Sequence, residues 1–433
     1  MICKNLSINA DGHLCFAGLD TVKLAKDFGT PLYLMDEDRI RERCRVYKEG
    51  MREAFGENAK PLYASKAASF KQIYRIMREE NMGIDVVSSG EIFTALSAGY
   101  DLKNAYFHSN NKTDEDIEFA IANGIGYFVV DNHEELFAIG KIAKSHSIRQ
   151  KILLRLTPGI DPHTFEEVAT GKVDSKFGSA IETGQAEEIT LAALGCENIE
   201  LAGFHCHIGS QMFDSQVFLD SADIMLTFIA DMKNKYGYMA PELDLGGGYG
   251  VRYTESDPEI DIAANIRLVG RFVTNKCKEL GIEMPAIRME PGRSIVADAG
   301  LTLYTVGTIK QIPGYKNYVS VDGGMTDNPR FALYKSSYTV LIANRPENSA
   351  ETFNCSVVGR CCESGDILQE NVELAADVKR GETLAVLTTG AYNYSMASNY
   401  NRIPRPPVVM IKDGKSYIAI KRESFENICQ NDI

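Results

Sequence analysis

The sequence predicts two fold classes in one chain: an α/β part, read as a closed parallel (β/α)8 barrel, and an all-β part that is mostly antiparallel. Three observations carry this. From residue 60 to about 290, short apolar or β-branched runs alternate with longer stretches at helical spacing, the pattern of repeated strand–helix units. After residue 300 the apolar runs are separated by Gly, Pro and Asp instead, which reads as strands joined by turns. The chain has 433 residues, and a barrel of this kind takes roughly 250, leaving a second domain of substantial size.

The candidate barrel strands are, in order, Pro61–Ala64, Ile84–Val87, Ala105–Phe107, Tyr127–Val130, Ile152–Leu156, Leu201–His205, Leu243–Leu245 and Ala286–Met289. Between them the spacing predicts amphipathic helices. Ile73, Ile76 and Met77 share one helical face, and Ile117, Ala120 and Ile121 another. An open doubly wound sheet competes with the TIM barrel. It would normally carry a Gly-rich turn after its first strand, where this chain has Ser65-Lys66-Ala67-Ala68. In the later part, Thr302–Val306, Tyr318–Val321, Phe353–Val358, Thr383–Leu387 and Val408–Ile411 are the expected strands. Leu6-Ser7-Ile8 and Leu32-Tyr33-Leu34 are strand-like as well. The expected division is therefore a barrel over 36–298 and a discontinuous β domain over 1–35 and 299–433.

The formal net charge of −13 argues against general affinity for nucleic acid or an anionic membrane. The N-terminal residues Met1-Ile2-Cys3-Lys4-Asn5 show no apolar signal-peptide core, and no run of about 18 apolar residues occurs. Ten cysteines are present without a C-x-x-C pair, so neither a disulfide scaffold nor a zinc ribbon is expected. A cytoplasmic location with reduced thiols follows as the expectation.

Catalytic groups of a (β/α)8 barrel sit at the C-terminal ends of its strands. Lys66 follows the first strand and Asp85 lies in the second. His108-Ser109-Asn110-Asn111 follows the third, and Arg155 lies in the fifth. The sixth runs into His205-Cys206-His207-Ile208-Gly209-Ser210, the seventh into Gly246-Gly247-Gly248, the eighth into Glu290-Pro291-Gly292-Arg293. A lone lysine is ordinarily a solvated charge. Lys66 instead sits among small residues at the end of an apolar strand, where a partly desolvated amine is expected to react with an aldehyde. Three glycines alone read best as a turn, but consecutive glycines also let backbone N–H groups reach an anion, with Ser210 and Arg293 as further donors. His205 and His207, with Glu290 as third ligand, invite a zinc reading. Alternation along a strand prevents both histidines from pointing into the mouth, so no metal is expected. His205 reads as a core histidine and His207 as a flat ring for stacking. The Gly159–Val173 stretch reads equally as a mobile lid or an ordinary surface loop.

Taken together, these residues resemble the fold type III, alanine-racemase-like pyridoxal-phosphate decarboxylases. The matching segments are Tyr-Ala-Ser-Lys-Ala (63–67), Gly-Ile-Asp-Val-Val-Ser-Ser-Gly-Glu (83–91), His-Ser-Asn-Asn-Lys (108–112) and Asp-Ser-Lys-Phe-Gly (174–178). They continue with His-Cys-His-Ile-Gly-Ser-Gln (205–211), Gly-Gly-Gly-Tyr-Gly (246–250) and Glu-Pro-Gly-Arg (290–293). Asp-Gly-Gly-Met-Thr-Asp-Asn-Pro-Arg (322–330), Cys-Glu-Ser-Gly-Asp (362–366) and Gly-Ala-Tyr (390–392) complete the set.

The resemblance implies pyridoxal 5'-phosphate as cofactor, with Lys66 forming its internal aldimine. It implies Glu290 at the pyridine nitrogen, His207 stacked on the ring, and Asp85 and Arg155 in support. Ser210, Gly246, Gly247, Gly248, the Glu290–Arg293 turn with Gly292, and Tyr392 would hold the phosphate. Arg293, Arg330, Tyr334, Glu363 and Tyr392 would bind substrate. Cys362 and Glu363 would come from the partner subunit of a homodimer. Ala68, Phe331 and Arg360-Cys361 depart from the family's usual wording without removing a catalytic group.

Chemistry supports the same reading. Losing CO2 leaves charge at Cα, which a protonated pyridine ring absorbs, and a carboxylate such as Glu290 favours that protonation. Racemases of this class place an arginine there. Cys362 is a candidate acid for Cα. The resemblance implies meso-2,6-diaminopimelate as substrate, giving L-lysine and CO2 in lysine biosynthesis; its distal ammonium and carboxylate together require an acid and an arginine, which Glu363 with Arg293 or Arg330 would supply. D-ornithine, D-lysine, L-arginine or a carrier-linked amino acid are the alternative substrates. A non-catalytic cofactor-binding regulator would not need Lys66, Glu290 and Cys362 together.

Overall fold

The computed structural model describes residues 1–160, 174–347 and 351–433. Contacts divide the chain into two compact units. One comprises Met1–Glu42, Val251–Glu259 and Arg293–Ile433, and the other Arg43–Gly250 and Ile260–Gly292.

The second unit is the barrel. Its strands are β1 (Lys60–Ala64), β2 (Gly83–Val86), β3 (Ala105–Phe107), β4 (Tyr127–Val130), β5 (Gln150–Thr157), β6 (Ile199–His205), β7 (Glu242–Asp244) and β8 (Ala286–Met289). Each pairs in parallel with the next, and Arg288 and Met289 of β8 pair with Lys60 and Pro61 of β1 to close the ring. All eight expected runs are strands, because a strand covered on both faces is written as an unbroken apolar run. A two-residue strand, Ser179–Ala180, pairs in parallel with Leu156 and Thr157 at the C-terminal end of β5.

The helices follow the predicted faces. Lys71–Glu79 buries Ile73, Ile76 and Met77. Asp114–Ala122 buries Ile117, Ala120 and Ile121, and opens with a Thr113/Asp116 capping box. Ser88 and Asn132 cap the helices that follow β2 and β4, so the chain turns back at once after each strand. Near the strands' N-terminal ends, Tyr106 and Tyr127 stack with centroids 4.3 Å apart. Both hydroxyls donate to Glu242, at 2.9 and 3.1 Å, and Arg288 pairs with Glu242 at 3.1 Å.

The first unit holds a nine-stranded sheet. Leu32–Asp36 lies between Gly300–Ile312, antiparallel to it, and Val408–Lys412, parallel to it. The N-terminal strand thus joins the C-terminal domain, as expected. Leu32 to Asp36 are all buried, so the strand needs neighbours on both sides. The sheet is less purely antiparallel than its turns suggest, since Lys316–Val321 also pairs in parallel with Thr352–Val358. A separate three-stranded sheet contains Leu6–Ile8. Leu14, Phe16, Leu24, Leu301, Leu303 and Val409 share its apolar core. Of the lid expected over 159–173, residues 161–173 lie outside the described residues. Among the described residues, no helix is long and apolar enough to cross a membrane.

Candidate active site

Two loops at the C-terminal end of the barrel are joined by backbone. Met212 N–H donates to Gly248 O at 2.9 Å, and Gly250 N–H to Met212 O at 2.8 Å. The Ser210 loop after β6 and the glycine loop after β7 therefore form one edge. Only glycine fits at its centre. Gly246 has φ 68, and a Cβ there would meet Cys206 O at 2.5 Å. A Cβ on Gly247 would lie 2.1 Å from Glu290 O. Gly247 N–H donates to His207 Nδ1 at 3.3 Å, so that nitrogen accepts and the ring is neutral. Burial, with the nearby charges of Lys66 and Arg155, holds His207 well below the usual histidine range. A neutral flat ring is what stacking requires.

Glu290, at the end of β8, is the centre of the ionisable cluster. Its Oε2 accepts from His205 Nε2 at 3.2 Å. Its Oε1 lies 2.8 Å from His108 Nε2, but off the line of a hydrogen bond. All three side chains are buried. Burial pushes Glu290 up, yet the facing imidazoles outweigh it and hold the carboxyl well below the usual carboxylate range. Nearby Asp244 goes the other way: burial and the charge of Glu290 push its carboxyl well above the usual carboxylate range. Burial also pushes Asp85 up to about 6.

His108 is the residue that sequence reasoning left without a role. Its place directly after β3 was the available signal. The metal reading changes in membership, because His108 stands beside His205 and Glu290, and the three ligand atoms lie within 4.8 Å of one another. The 2.8 and 3.2 Å contacts are direct.

Lys66 corrects one expectation. It sits in the 3-10 turn Ser65–Ala67 directly after β1, but its side chain is exposed while Ser65, Ala67 and Ala68 are buried. The turn lifts the lysine off the packed strand, so the amine is not desolvated by the protein alone. Its charge still reaches Asp85, His205 and His207. Gly292 lies against Ala64, where a Cβ would come within 2.9 Å of the alanine methyl. Arg155, on β5, is half-buried with its guanidinium 4.3 Å from the Phe177 ring centre.

The first unit holds a cluster of its own. Arg293 and Arg330, both buried, lie 4.9 and 5.1 Å from the ring centre of Tyr392. Arg330 also lies 5.6 Å from the Tyr334 ring. Tyr392 holds its position with φ 69, a conformation that costs a non-glycine residue roughly 1–3 kcal/mol. Tyr253 was not foreseen. Arg293 Nη1 donates to its hydroxyl at 2.7 Å. The Tyr253 backbone is fixed in turn, with its N–H donating to Asp257 at 2.9 Å and its carbonyl accepting from Thr339 Oγ1 at 2.9 Å. Cys362 and Glu363 stand on an exposed turn. Cys362 N–H donates to Asn401 Oδ1 at 2.8 Å, and Gly365 N–H donates to Glu363 Oε1 at 3.2 Å.

The barrel residues fit pyridoxal phosphate. Asp85 Oδ1 and His205 Nδ1 are buried and have no hydrogen-bond partner among the described residues. The glycine loop leaves a cradle of backbone for a phosphate, and the ionised Glu290 suits a protonated ring nitrogen.

Comparison with known proteins agrees. A family profile described as "Pyridoxal-dependent decarboxylase, pyridoxal binding domain" matches residues 37–297. The diaminopimelate decarboxylase of Bacillus subtilis (strain 168) is 43% identical over 425 residues, covering 98% of this chain and 96% of that one. That of Staphylococcus aureus (strain COL) is 42% identical, covering 98% of each. Among solved structures, diaminopimelate decarboxylase from M. jannaschii in co-complex with L-lysine superposes with a TM-score of 0.92. It is 32% identical and covers 100% of this chain and 98% of that one.

Proposed function

The chain belongs to the pyridoxal-dependent decarboxylases, and we propose that it converts meso-2,6-diaminopimelate to L-lysine and CO2, the last step of lysine biosynthesis. The observation that carries the substrate is the pair of buried guanidinium groups, Arg293 and Arg330, gathered on the Tyr392 ring. A substrate with only a distal amine would not need them; a carboxylate meets them in bidentate fashion. The full-length likeness to diaminopimelate decarboxylases supports the same substrate.

When bound, pyridoxal phosphate supplies a carbonyl for the substrate amine and a ring that withdraws the electrons left by CO2. Lys66 is the residue proposed to hold its aldehyde. The Ser210 loop and Gly246, Gly247 and Gly248 offer N–H groups to the phosphate. His207 covers one face of the ring as a neutral imidazole. Glu290 keeps a proton on the ring nitrogen, with Asp85 and Arg155 nearby. Gly292 permits the close passage beside Ala64. Arg293, Arg330, Tyr334 and Tyr392 receive a substrate carboxylate.

The proposal includes a homodimer in which Cys362 and Glu363 serve the site of the partner subunit. Their exposure on a turn supports this role. Cys362 would return the proton to Cα, and Glu363 would grip the distal ammonium of D configuration. A cytoplasmic place is part of the same reading. The test is lysine release from meso-diaminopimelate by the loaded enzyme, with D-ornithine, D-lysine and L-arginine as competitors. No lysine from meso-diaminopimelate would sink the assignment. Cys362→Ala should lower turnover by about 10²–10⁴-fold with cofactor retained; unchanged turnover would remove Cys362 from the chemistry.

A further inference from the structure

We propose that His108 is a positioning residue for Glu290: from the end of β3 its ring stands in direct contact with one carboxylate oxygen while His205 donates to the other, so that Glu290 meets the cofactor's ring nitrogen ionised and in one orientation. This rests on the reading that Glu290 faces that nitrogen.

The geometry is that of a clamp. His108 Nε2 lies 2.8 Å from Oε1, and His205 Nε2 lies 3.2 Å from Oε2. The two rings meet edge to face at 71°, with centroids 4.8 Å apart, so each blocks the other's rotation. His108 is anchored by its own backbone, its N–H donating to Val86 O on β2 at 2.8 Å. The next residue, Ser109, has φ 139, a region that favours glycine and costs other residues roughly 1–3 kcal/mol. Strain of that kind persists where the surrounding structure holds a side chain in place.

A clamp is needed because the rest of the site works against an ionised Glu290. Burial disfavours its charge, and Asp85 faces it with a further carboxyl, while burial and the charge of Glu290 push the Asp244 carboxyl up. Arg155 opposes them. His207 is neutral and the Cys206 thiol keeps its proton, so neither helps. Lys66 reaches Asp85 and His205, and it is the group that the cofactor occupies. His205 is itself pushed down by burial, against the charge of Glu290. Without an imidazole at Oε1, Glu290 would take up a proton at a higher pH and lose its hold on a protonated ring nitrogen.

The test compares His108→Gln with His108→Asn. A glutamine amide reaches the place of Nε2, whereas an asparagine amide reaches only that of Nδ1, so the two differ in reach and little in polarity. Equilibrium affinity of the full chain for pyridoxal phosphate is measured against pH by dialysis and reloading, alongside kcat and KM of the loaded enzyme for meso-diaminopimelate. In H108N the acid limb of cofactor affinity should move up by about one pH unit, equivalent to about tenfold weaker binding at a fixed pH on that limb. H108N should also lower kcat with KM little changed, and H108Q should keep the wild-type limb. An H108N protein that cannot be loaded, beside an H108Q protein that can, also supports the clamp. Coincident limbs for H108N and wild type overturn it, as does an equal shift or equal failure of both variants. E290Q separates the two levels of the argument: if E290Q leaves the acid limb unchanged, Glu290 does not serve the ring nitrogen, and the underlying reading fails instead.

Discussion

Asp327→Asn should make the protein more stable at neutral and alkaline pH while leaving its acid stability alone. Asp327 is buried, and burial pushes its carboxyl from 3.8 up to about 7. The fold therefore keeps this proton over a pH range in which the unfolded chain has released it. Between about pH 4 and 7 the unfolded state binds fewer protons, so stability falls as pH rises. A shift of about three units corresponds to roughly 4 kcal/mol, fully present as a penalty above pH 7 and absent below pH 4.

Asparagine removes the charge and keeps the shape. Its oxygen can accept from Gly324 N–H and Thr326 Oγ1, which now donate to Oδ2 at 3.0 and 3.3 Å. Its amide can face the Tyr304 hydroxyl, which now donates to Oδ1 and can accept instead. Reorganisation around the buried charge will lower the figure, and a gain of about 2–4 kcal/mol above pH 7 is expected. Urea unfolding from pH 4 to 8 measures it. Hydrogen exchange in the Gly300–Ile312 strand checks the same unit without assuming that the whole chain unfolds in one step. Stability curves for D327N and wild type that run parallel from pH 4 to 8 would refute the reasoning.

Three further outcomes are expected. Gly247→Ala places a methyl 2.1 Å from the Glu290 carbonyl oxygen, backbone against backbone, and should weaken cofactor binding by about tenfold or more; dialysis followed by cofactor titration reads it, and wild-type retention would remove the loop from the phosphate site. Tyr253→Phe deprives Arg293 of a buried 2.7 Å acceptor, a contact to a charged group worth about 1.5–3 kcal/mol; KM for meso-diaminopimelate should rise about tenfold with kcat changed far less, and an unchanged KM would contradict it. Lys112→Met breaks the buried pair with Glu135, 2.5 Å apart, and should cost about 3–5 kcal/mol; thermal unfolding should show K112M/E135M recovering most of that loss, whereas an equally unstable double variant would show that packing governs.

The barrel was legible because its strands are covered on both faces, so each is an unbroken apolar run such as Leu153–Leu154, fully buried in β5. Spacing also showed the faces of Lys71–Glu79 and Asp114–Ala122, since helical periodicity is a local property. The Lys66, Gly246 and Glu290 positions could be read from their places after strands. Their meaning came from the order of motifs along the chain. What spacing could not show is which side chains meet. Closure of β8 onto β1 joins residues more than two hundred positions apart, and only that closure sets Glu290 between His108 and His205. Ser109 turns the chain in a region that no propensity predicts, and so decides where His108 points. Tyr253 was hidden because its segment, 251–259, leaves the barrel unit for the other one. Lys66, expected to be desolvated by its neighbours, is lifted into the open by a single 3-10 turn. The sequence alone determined which residues are present and on which strand each stands. The tertiary structure decided their charge states, because burial and facing groups act through space.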